Sequence, residues 1–344
     1  MTDTKQSSSQ RLLVIRPDRL GDVILSTPSV LKLQRELPKA QVCFWIQPRW
    51  RVLFRNQPYQ LWEMSTEASF GSLVKALRRE AFDGVIHLQH HPKIAWATRF
   101  AGIKNRVGPL SRWDSRIVFN HGLRQRRSLV RKHEADYNID LVDHFLESKG
   151  ASPQSKIAPR VDFSKDLHQS SLHLIQSCGC TSKNFVLIHP GMGGSALNWP
   201  SKRYLELIER LHRDRISFLL SFGPGDVDQR IKSELQAALP FSLPMIEVHR
   251  SSGVEGLAGI LSHARIVVAP STGPLHLASA LGVPVIGFFP KIRVQSAKRW
   301  GPYLPQAFSR VVSSNASVDE VYAILTSELR RETVASSTGV ETAL

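Results

Sequence analysis

Short apolar runs recur through this chain, each leading into a longer stretch with helical spacing, which is the signature of βα units building a mainly parallel sheet. In the first half the runs are Arg11–Ile15, Gln41–Ile46 and residues 84–88. A helical pattern over residues 23–36 follows the first run and stops at Pro38, since proline cannot continue a helix. In the second half the runs restart at residues 185–189, 217–222, 266–269 and 283–288. Helices are predicted between them over residues 202–213, 228–238, 254–262 and 274–281. Residues 150–169, rich in Ser, Pro, Lys and Gln, follow neither period and read as a linker. At 344 residues the chain is long enough for two cores of ordinary size. The expected architecture is α/β, with two Rossmann-like halves over residues 1–165 and 166–344. Their mainly parallel sheets would face a central cleft, where open α/β sheets bind ligands beyond the carboxyl ends of their strands.

A formal net charge of +16 calls for an anionic partner. Nucleic acid, an acidic membrane face and a phosphorylated substrate all meet that description. Much of the excess lies in residues 93–132, where Asp114 is the one acid among many cations. Trp96, Phe100, Trp113 and Phe119 are interleaved with them. That mixture suits an amphiphilic anionic acceptor, a strand of nucleic acid, or a plain solvated face. No apolar run reaches the ~20 residues of a membrane span, and the first ten residues are polar, so neither export nor a spanning helix is expected. Cys43, Cys178 and Cys180 are odd in number and lack a metal-site spacing, which reads as free thiols in a reducing compartment.

Three segments could carry chemistry. After the first run, Leu20-Gly21-Asp22 turns the chain and delivers Asp22 to the start of a helix. Asp22 could cap that helix, or act as a general base toward a substrate hydroxyl, and neither role excludes the other. Next, His189-Pro190-Gly191-Met192-Gly193-Gly194-Ser195 is a strand running into a glycine-rich loop, followed by Trp199-Pro200. Backbone amides there could approach a diphosphate, or the loop could be a plain turn; it matches neither a Walker motif nor a dinucleotide fingerprint. Third, Ser271-Thr272-Gly273 ends a strand and Pro274 opens a helix, so hydroxyls and free amides converge as they would around a phosphate. His276 on that helix reads as a hydrogen-bonded core histidine more readily than as a catalytic base. Asp226, after Phe222-Gly223-Pro224-Gly225, is placed to bind ribose hydroxyls, and Arg299-Trp300 adds a cation and an aromatic.

In order and spacing these segments resemble glycosyltransferase family 9, the ADP-heptose:lipopolysaccharide heptosyltransferases. Residues 82–108, with His87-Leu88-Gln89 and Arg106-Val107-Gly108, extend the likeness across nearly the whole chain. The resemblance implies a GT-B fold and an inverting, metal-independent transfer of heptose from ADP-heptose to a Kdo or heptose residue, with no cofactor. It implies acceptor binding in the first half and donor binding in the second. Asp22 matches the family's base, and the Ser271-Thr272-Gly273 turn its phosphate loop. His189, Gly191, Gly193, Gly194, Ser195, Asp226 and His276 fall in its donor site. Arg19, Arg124, Arg126, Arg127 and Arg131 are the expected contacts to a phosphorylated lipid A-Kdo acceptor, in a cytoplasmic enzyme peripheral to the anionic inner membrane. Nucleic acid is not the expected partner. Two positions depart from the family pattern: Ser271 stands where many members have Asp, and Asn198 where many have Lys or Arg. That leaves room for another nucleotide sugar, a protein acceptor, or a binding protein that has lost activity.

Overall fold

A computed structural model describes residues 10–148, 157–162, 165–191, 197–247, 253–305 and 307–337, the side chains of residue 165 and residues 332–337 excepted. The chain divides into two compact units, Met1–Phe163 and Ser164–Leu344.

The first unit opens with β1 (Arg11–Ile15), α1 (Leu20–Ile24), α2 (Thr27–Glu36) and β2 (Gln41–Ile46). It continues through β3 (Gln60–Glu63), α3 (Phe70–Glu80), β4 (Gly84–His87), α4 (Pro92–Phe100) and β5 (Asn105–Pro109). It ends with α5 (Ser115–Val118), β6 (His121–Leu123) and α6 (Glu134–Glu147). Its strands form one parallel sheet in the order β3-β2-β1-β4-β5-β6. The helix expected over residues 23–36 is two helices. Pro28 lacks an amide hydrogen and its ring would strike the carbonyl four residues back. The side chains of Ser26 and Thr27 instead donate to the carbonyls of Asp22 and Ile24, at 2.7 and 2.8 Å. Leu13, Ile15, Trp45, Leu73, Leu77, Val85 and Ile94 fill the core between this sheet and α3 and α4. The backbone amides of Arg160 and Asp162 donate to the Thr27 hydroxyl and the Leu53 carbonyl.

The second unit begins with α7 (Lys165–Ser177), so the helix takes the last part of the segment expected to be linker. β7 (Val186–Ile188), α8 (Ser201–Arg213), β8 (Phe218–Phe222), α9 (Asp226–Ala238) and β9 (Met245–Glu247) follow. Then come α10 (Gly253–His263), β10 (Ile266–Pro270), α11 (Gly273–Ala280) and β11 (Val285–Phe289). α12 (Ala297–Trp300), β12 (Ser309–Ser313) and α13 (Val318–Ser337) complete it. This sheet too is parallel, in the order β12-β11-β10-β7-β8-β9. Counted from its own first strand, each unit has the order 3-2-1-4-5-6. In each, the chain leaves the first strand to one side and returns to the other, and loops diverging at that reversal leave a crevice beyond the strand ends. The reversals lie between β1 and β4 and between β7 and β10.

Candidate functional site

At the reversal in the first unit, β1 is apolar and buried from Leu12 to Ile15, and the next residue, Arg16, is 1% exposed. A guanidinium presents five donors in a rigid fork, so one buried arginine can serve several carboxylates. Arg16 does so. Its Nη2 lies 2.6 Å from Asp22 Oδ1, its Nε 2.7 Å from Asp18 Oδ2, and its Nη1 3.5 Å from Glu134 Oε1 on α6. Burial alone would favour neutral Arg16, but the three carboxylates outweigh it and raise its pKa. Glu134 is shared with Arg127, whose Nη2 also donates to the Leu88 carbonyl at 2.9 Å. Across the reversal, His91 Nε2 lies 3.1 Å from Asp18 Oδ1. The cluster therefore sets two cations against three carboxylates, with His91 at its edge.

Asp22 does not cap α1. The N-cap is Arg19, in extended conformation and without a side-chain cap, while Asp22 sits in the first turn. Its hydrogen bond to Arg16 uses one carboxylate oxygen, and the other makes none among the described residues. Burial pushes the Asp22 pKa up; Arg16 opposes this, and neighbouring Asp18 adds to it. Asp18 is held below the usual range because His91 and Arg16 outweigh its own burial. A carboxylate with a raised pKa, fixed by one oxygen, is fitted to accept a proton.

Beyond β6, residues 124–133 form a loop under local strain. Arg126 and Val130 both have left-handed backbones, at φ 47 and 49, which for a β-branched valine is costly. The loop is pinned from behind: Gln125 donates to the Tyr137 carbonyl, and the Tyr137 hydroxyl accepts from the Arg131 amide at 3.0 Å. Arg124, Arg126 and Arg131 are exposed and have no side-chain hydrogen bond among the described residues, and Arg19 is exposed as well. Arg127 is different, with its guanidinium on Glu134, Leu88 and Gln125 and 5.5 Å from the Tyr137 ring centre. It belongs to the wall around Arg16, not to the exposed cations.

In the second unit the reversal is lined mostly by neutral polar groups, with Asp228 among them. His189 follows β7 and is buried, its Nδ1 2.9 Å from the Ser221 hydroxyl on β8. Its Nε2 lies 3.9 Å from Asp228, and burial lowers its pKa. Asp228, in the first turn of α9, accepts from the Gly223 amide at 2.7 Å. Gly191 packs so closely that a Cβ there would lie 1.8 Å from Asp228 Oδ1, so any larger residue would have to displace the Asp228 carboxylate. Asp226, at the start of α9, is exposed. Gly193, Gly194 and Ser195 lie outside the described residues.

Asn198 bridges the two ends of the glycine-rich loop. Its Nδ2 donates to the Pro190 carbonyl at 2.6 Å, and its Oδ1 accepts from the Trp199 amide and the Tyr204 hydroxyl. Trp199 is buried, stacked 4.6 Å from Phe288 and bonded to the Ala316 carbonyl. Across the reversal, Thr272 is the extended N-cap of α11, and its hydroxyl donates to the Pro270 carbonyl at 3.2 Å. The Gly273 and Leu275 amides have no acceptor within the helix and Pro274 has no amide hydrogen, so this terminus presents two free donors. The Ser271 amide is taken by the Phe288 carbonyl, and His276 is buried on α11.

The structure thus assembles His189, Gly191 and the Ser271-Thr272-Gly273 turn around one reversal, and Asp22 at the other. The sequence reading missed Arg16, Asp18, His91, Glu134 and Asp228. One signal was available for Arg16, a cation directly after the four apolar residues Leu12 to Ile15; its partner Glu134 is 118 residues away. Among the described residues no group of three or more His, Cys, Asp or Glu side chains is placed to hold a metal ion, and no helix is long and apolar enough to cross a membrane.

The sequence model of glycosyltransferase family 9 (heptosyltransferase) matches residues 70–322. A Haemophilus influenzae protein, whose name says glycosyltransferase without donor or acceptor, is 32% identical over 304 residues, covering 85% of this chain and 86% of its own. Lipopolysaccharide heptosyltransferase 1 of Pseudomonas aeruginosa is 26% identical over 81% of this chain and 78% of its own. The solved structure of the Escherichia coli ADP-heptose lipopolysaccharide heptosyltransferase II superposes with a TM-score of 0.76 at 20% identity, over 94% of this chain and 100% of that one. The fold is GT-B, and the chain belongs to glycosyltransferase family 9, as a glycosyltransferase of the lipopolysaccharide-core heptosyltransferase family.

Proposed function

We propose that the enzyme transfers a heptose, with inversion and without a metal, from ADP-heptose or a similar nucleotide sugar to a Kdo or heptose residue of the lipopolysaccharide inner core. Asp22 removes the proton from the acceptor hydroxyl as its oxygen attacks the anomeric carbon. The new C–O bond forms as the bond to the diphosphate breaks, and ADP leaves with both electrons of that bond. The observation that carries this reading is the Arg16–Asp22 contact, which orients a carboxylate of raised pKa while leaving one oxygen for the substrate. Arg16 is a positioning residue that acts through Asp22.

Residues 1–165 bind the acceptor and residues 166–344 the donor. Amides and hydroxyls at Gly191 and at Ser271 to Gly273 stabilise the charge developing on the leaving diphosphate, aided by Gly193, Gly194 and Ser195. His189, His276 and Asp228 shape that pocket, and Asp226 or its neighbour Asp228 holds the ribose. Exposed Arg19, Arg124, Arg126 and Arg131 contact acceptor phosphates. The enzyme works on the cytoplasmic face of the inner membrane, held there as a peripheral protein by its positive charge.

The test is incubation with a panel of nucleotide sugars and truncated core acceptors, with products identified by mass. An added heptose from ADP-heptose supports the reading; transfer of another sugar replaces the donor, transfer to protein replaces the acceptor, and no transfer from any donor refutes it.

A further inference from the structure

α3, α4 and the short α5 cover one face of the first sheet, and their outer surface is unusually apolar for exposed helices. Phe70 and Phe100 are 40% and 56% exposed. Their rings meet edge to face at 5.7 Å, and Trp96 lies 6.1 Å from Phe100. They border a depression of about 470 Å³ lined also by Gly71, Val74, Lys75 and Arg78. Trp113, just ahead of α5, is 78% exposed, and Ile117 on α5 is 49% exposed. The surface is tied down at both ends: Arg78 Nη2 donates to the Phe100 carbonyl at 2.8 Å, and Lys93 Nζ to the Ala68 carbonyl at 3.1 Å. Phe70 and Phe100 are therefore held outward on fixed helices.

Exposed cations surround the aromatics: Lys75 and Arg78 on α3, Lys93 and Arg99 on α4, and Arg112 and Arg116 beside Trp113. Acid is sparse. Asp114 is buried, and Glu80 is engaged by Arg11 and Arg79, which leaves Glu67 and Asp83 exposed. Tryptophan and phenylalanine amid lysine and arginine are what an interfacial surface needs, the rings entering the headgroup region while the cations meet lipid phosphates.

We propose that this α3–α4–α5 face docks the enzyme on an anionic lipid bilayer. The inference rests on the peripheral placement proposed above and names the surface responsible, distinct from the Arg124 to Arg131 loop assigned to the acceptor. None of its residues belongs to the catalytic cluster or the donor cradle.

The experiment is co-sedimentation with vesicles of phosphatidylcholine alone, or mixed with phosphatidylglycerol, using wild type and two double variants, Phe100→Ser with Trp113→Ser and Lys75→Glu with Arg116→Glu. Wild type is expected to bind the mixed vesicles, and each double variant at least about tenfold more weakly, since a surface cation near anionic lipid and a buried aromatic each contribute on that scale. Melting temperature, ADP affinity and transfer to a soluble truncated acceptor should be unchanged in both variants. Equal vesicle binding by wild type and variants overturns this surface while leaving membrane placement intact. A wild type that binds neither vesicle overturns both, while transfer to the soluble acceptor tests the sugar chemistry independently of either. Self-association of the wild type that the variants lose, without vesicle binding, assigns the face to a second copy of the chain and refutes the bilayer.

Discussion

The two sheets share one strand order, yet their reversals carry opposite chemistry. Beyond β1 and β4 the groups are ionic: Arg16, Arg127, Asp18, Asp22 and Glu134, buried or nearly so and paired with one another. Beyond β7 and β10 they are mostly neutral: Ser221, Asn198, Thr272, a histidine whose pKa is lowered by burial, and a glycine pressed against the carboxylate of Asp228. The same topology provides two crevices, and the residues lining them decide the role. An ionic cluster can tune a proton acceptor, because moving one charge shifts the pKa of its neighbours. A neutral cradle of amides and hydroxyls can receive a diphosphate without first displacing a counter-ion.

The sharpest way to break this contrast is Asp22→Asn. Turnover should fall by about 10²- to 10⁴-fold, the usual worth of a general base, with ADP affinity unchanged. Wild-type turnover would return Asp22 to a structural role. The base must be deprotonated, so the wild-type rate should fall with decreasing pH through an acid limb above the ordinary aspartate value. Arg16→Lys keeps the charge but loses the fork. With the carboxylate less stabilised, that limb should move up, so turnover falls most at acidic pH and recovers as pH rises. A drop with the limb unmoved would make Arg16 a support of the fold alone.

At the other reversal, Gly191→Ala should weaken ADP binding by about ten- to a hundredfold, since overpacking typically costs about 1–3 kcal/mol. The new methyl would displace Asp228 and, with it, the Gly223 turn. If that collision is the cause, adding Asp228→Ala should cost less than the two single effects combined, and calorimetry on the four proteins measures the coupling. Fully additive losses would refute the steric account. Thr272→Val should be milder, about tenfold in ADP affinity, on the order of one hydrogen bond to a charged group. Unchanged affinity would move the diphosphate away from α11. Neither variant should shift the acid limb set by Asp22, and a shift would dissolve the division between the two crevices.

What could be read from the chain follows from what each element owes to its own residues. β1, β2, β10 and β11 are apolar runs buried on both faces, so they stand out locally. β3 (Gln-Leu-Trp-Glu), β6 (His-Gly-Leu), β9 and β12 lie at or toward the sheet margins and are short or polar; pairing with a neighbour makes them strands, and that was not visible in sequence. The same limit applies to the site. Glycines and the Ser-Thr-Gly turn announce themselves because the backbone needs them. Arg127 reads as one more cation in a basic run until Glu134 and Tyr137 are brought beside it. Asp228 reads as a helix start until Gly191 is pressed against it.

The smallest expected effect tests whether the ionic crevice extends to its exposed rim. Arg124 and Arg131 flank the strained turn at Arg126 and Val130 and have no side-chain hydrogen bond among the described residues, unlike half-buried Arg127. Charges so exposed contribute up to about 1 kcal/mol each. Reversing both, as Arg124→Glu with Arg131→Glu, should therefore raise the acceptor KM by about five- to twentyfold. Turnover at saturating acceptor and ADP affinity should stay near wild type. Exposed charges are screened over about 8 Å at physiological ionic strength, so added salt should raise the wild-type acceptor KM in the same way and affect the variant much less. A loss of ADP affinity in parallel would point to damaged folding. If the acceptor KM and its salt dependence both match wild type, these arginines are a solvated surface, and acceptor recognition lies with Arg19 and the buried cluster behind it.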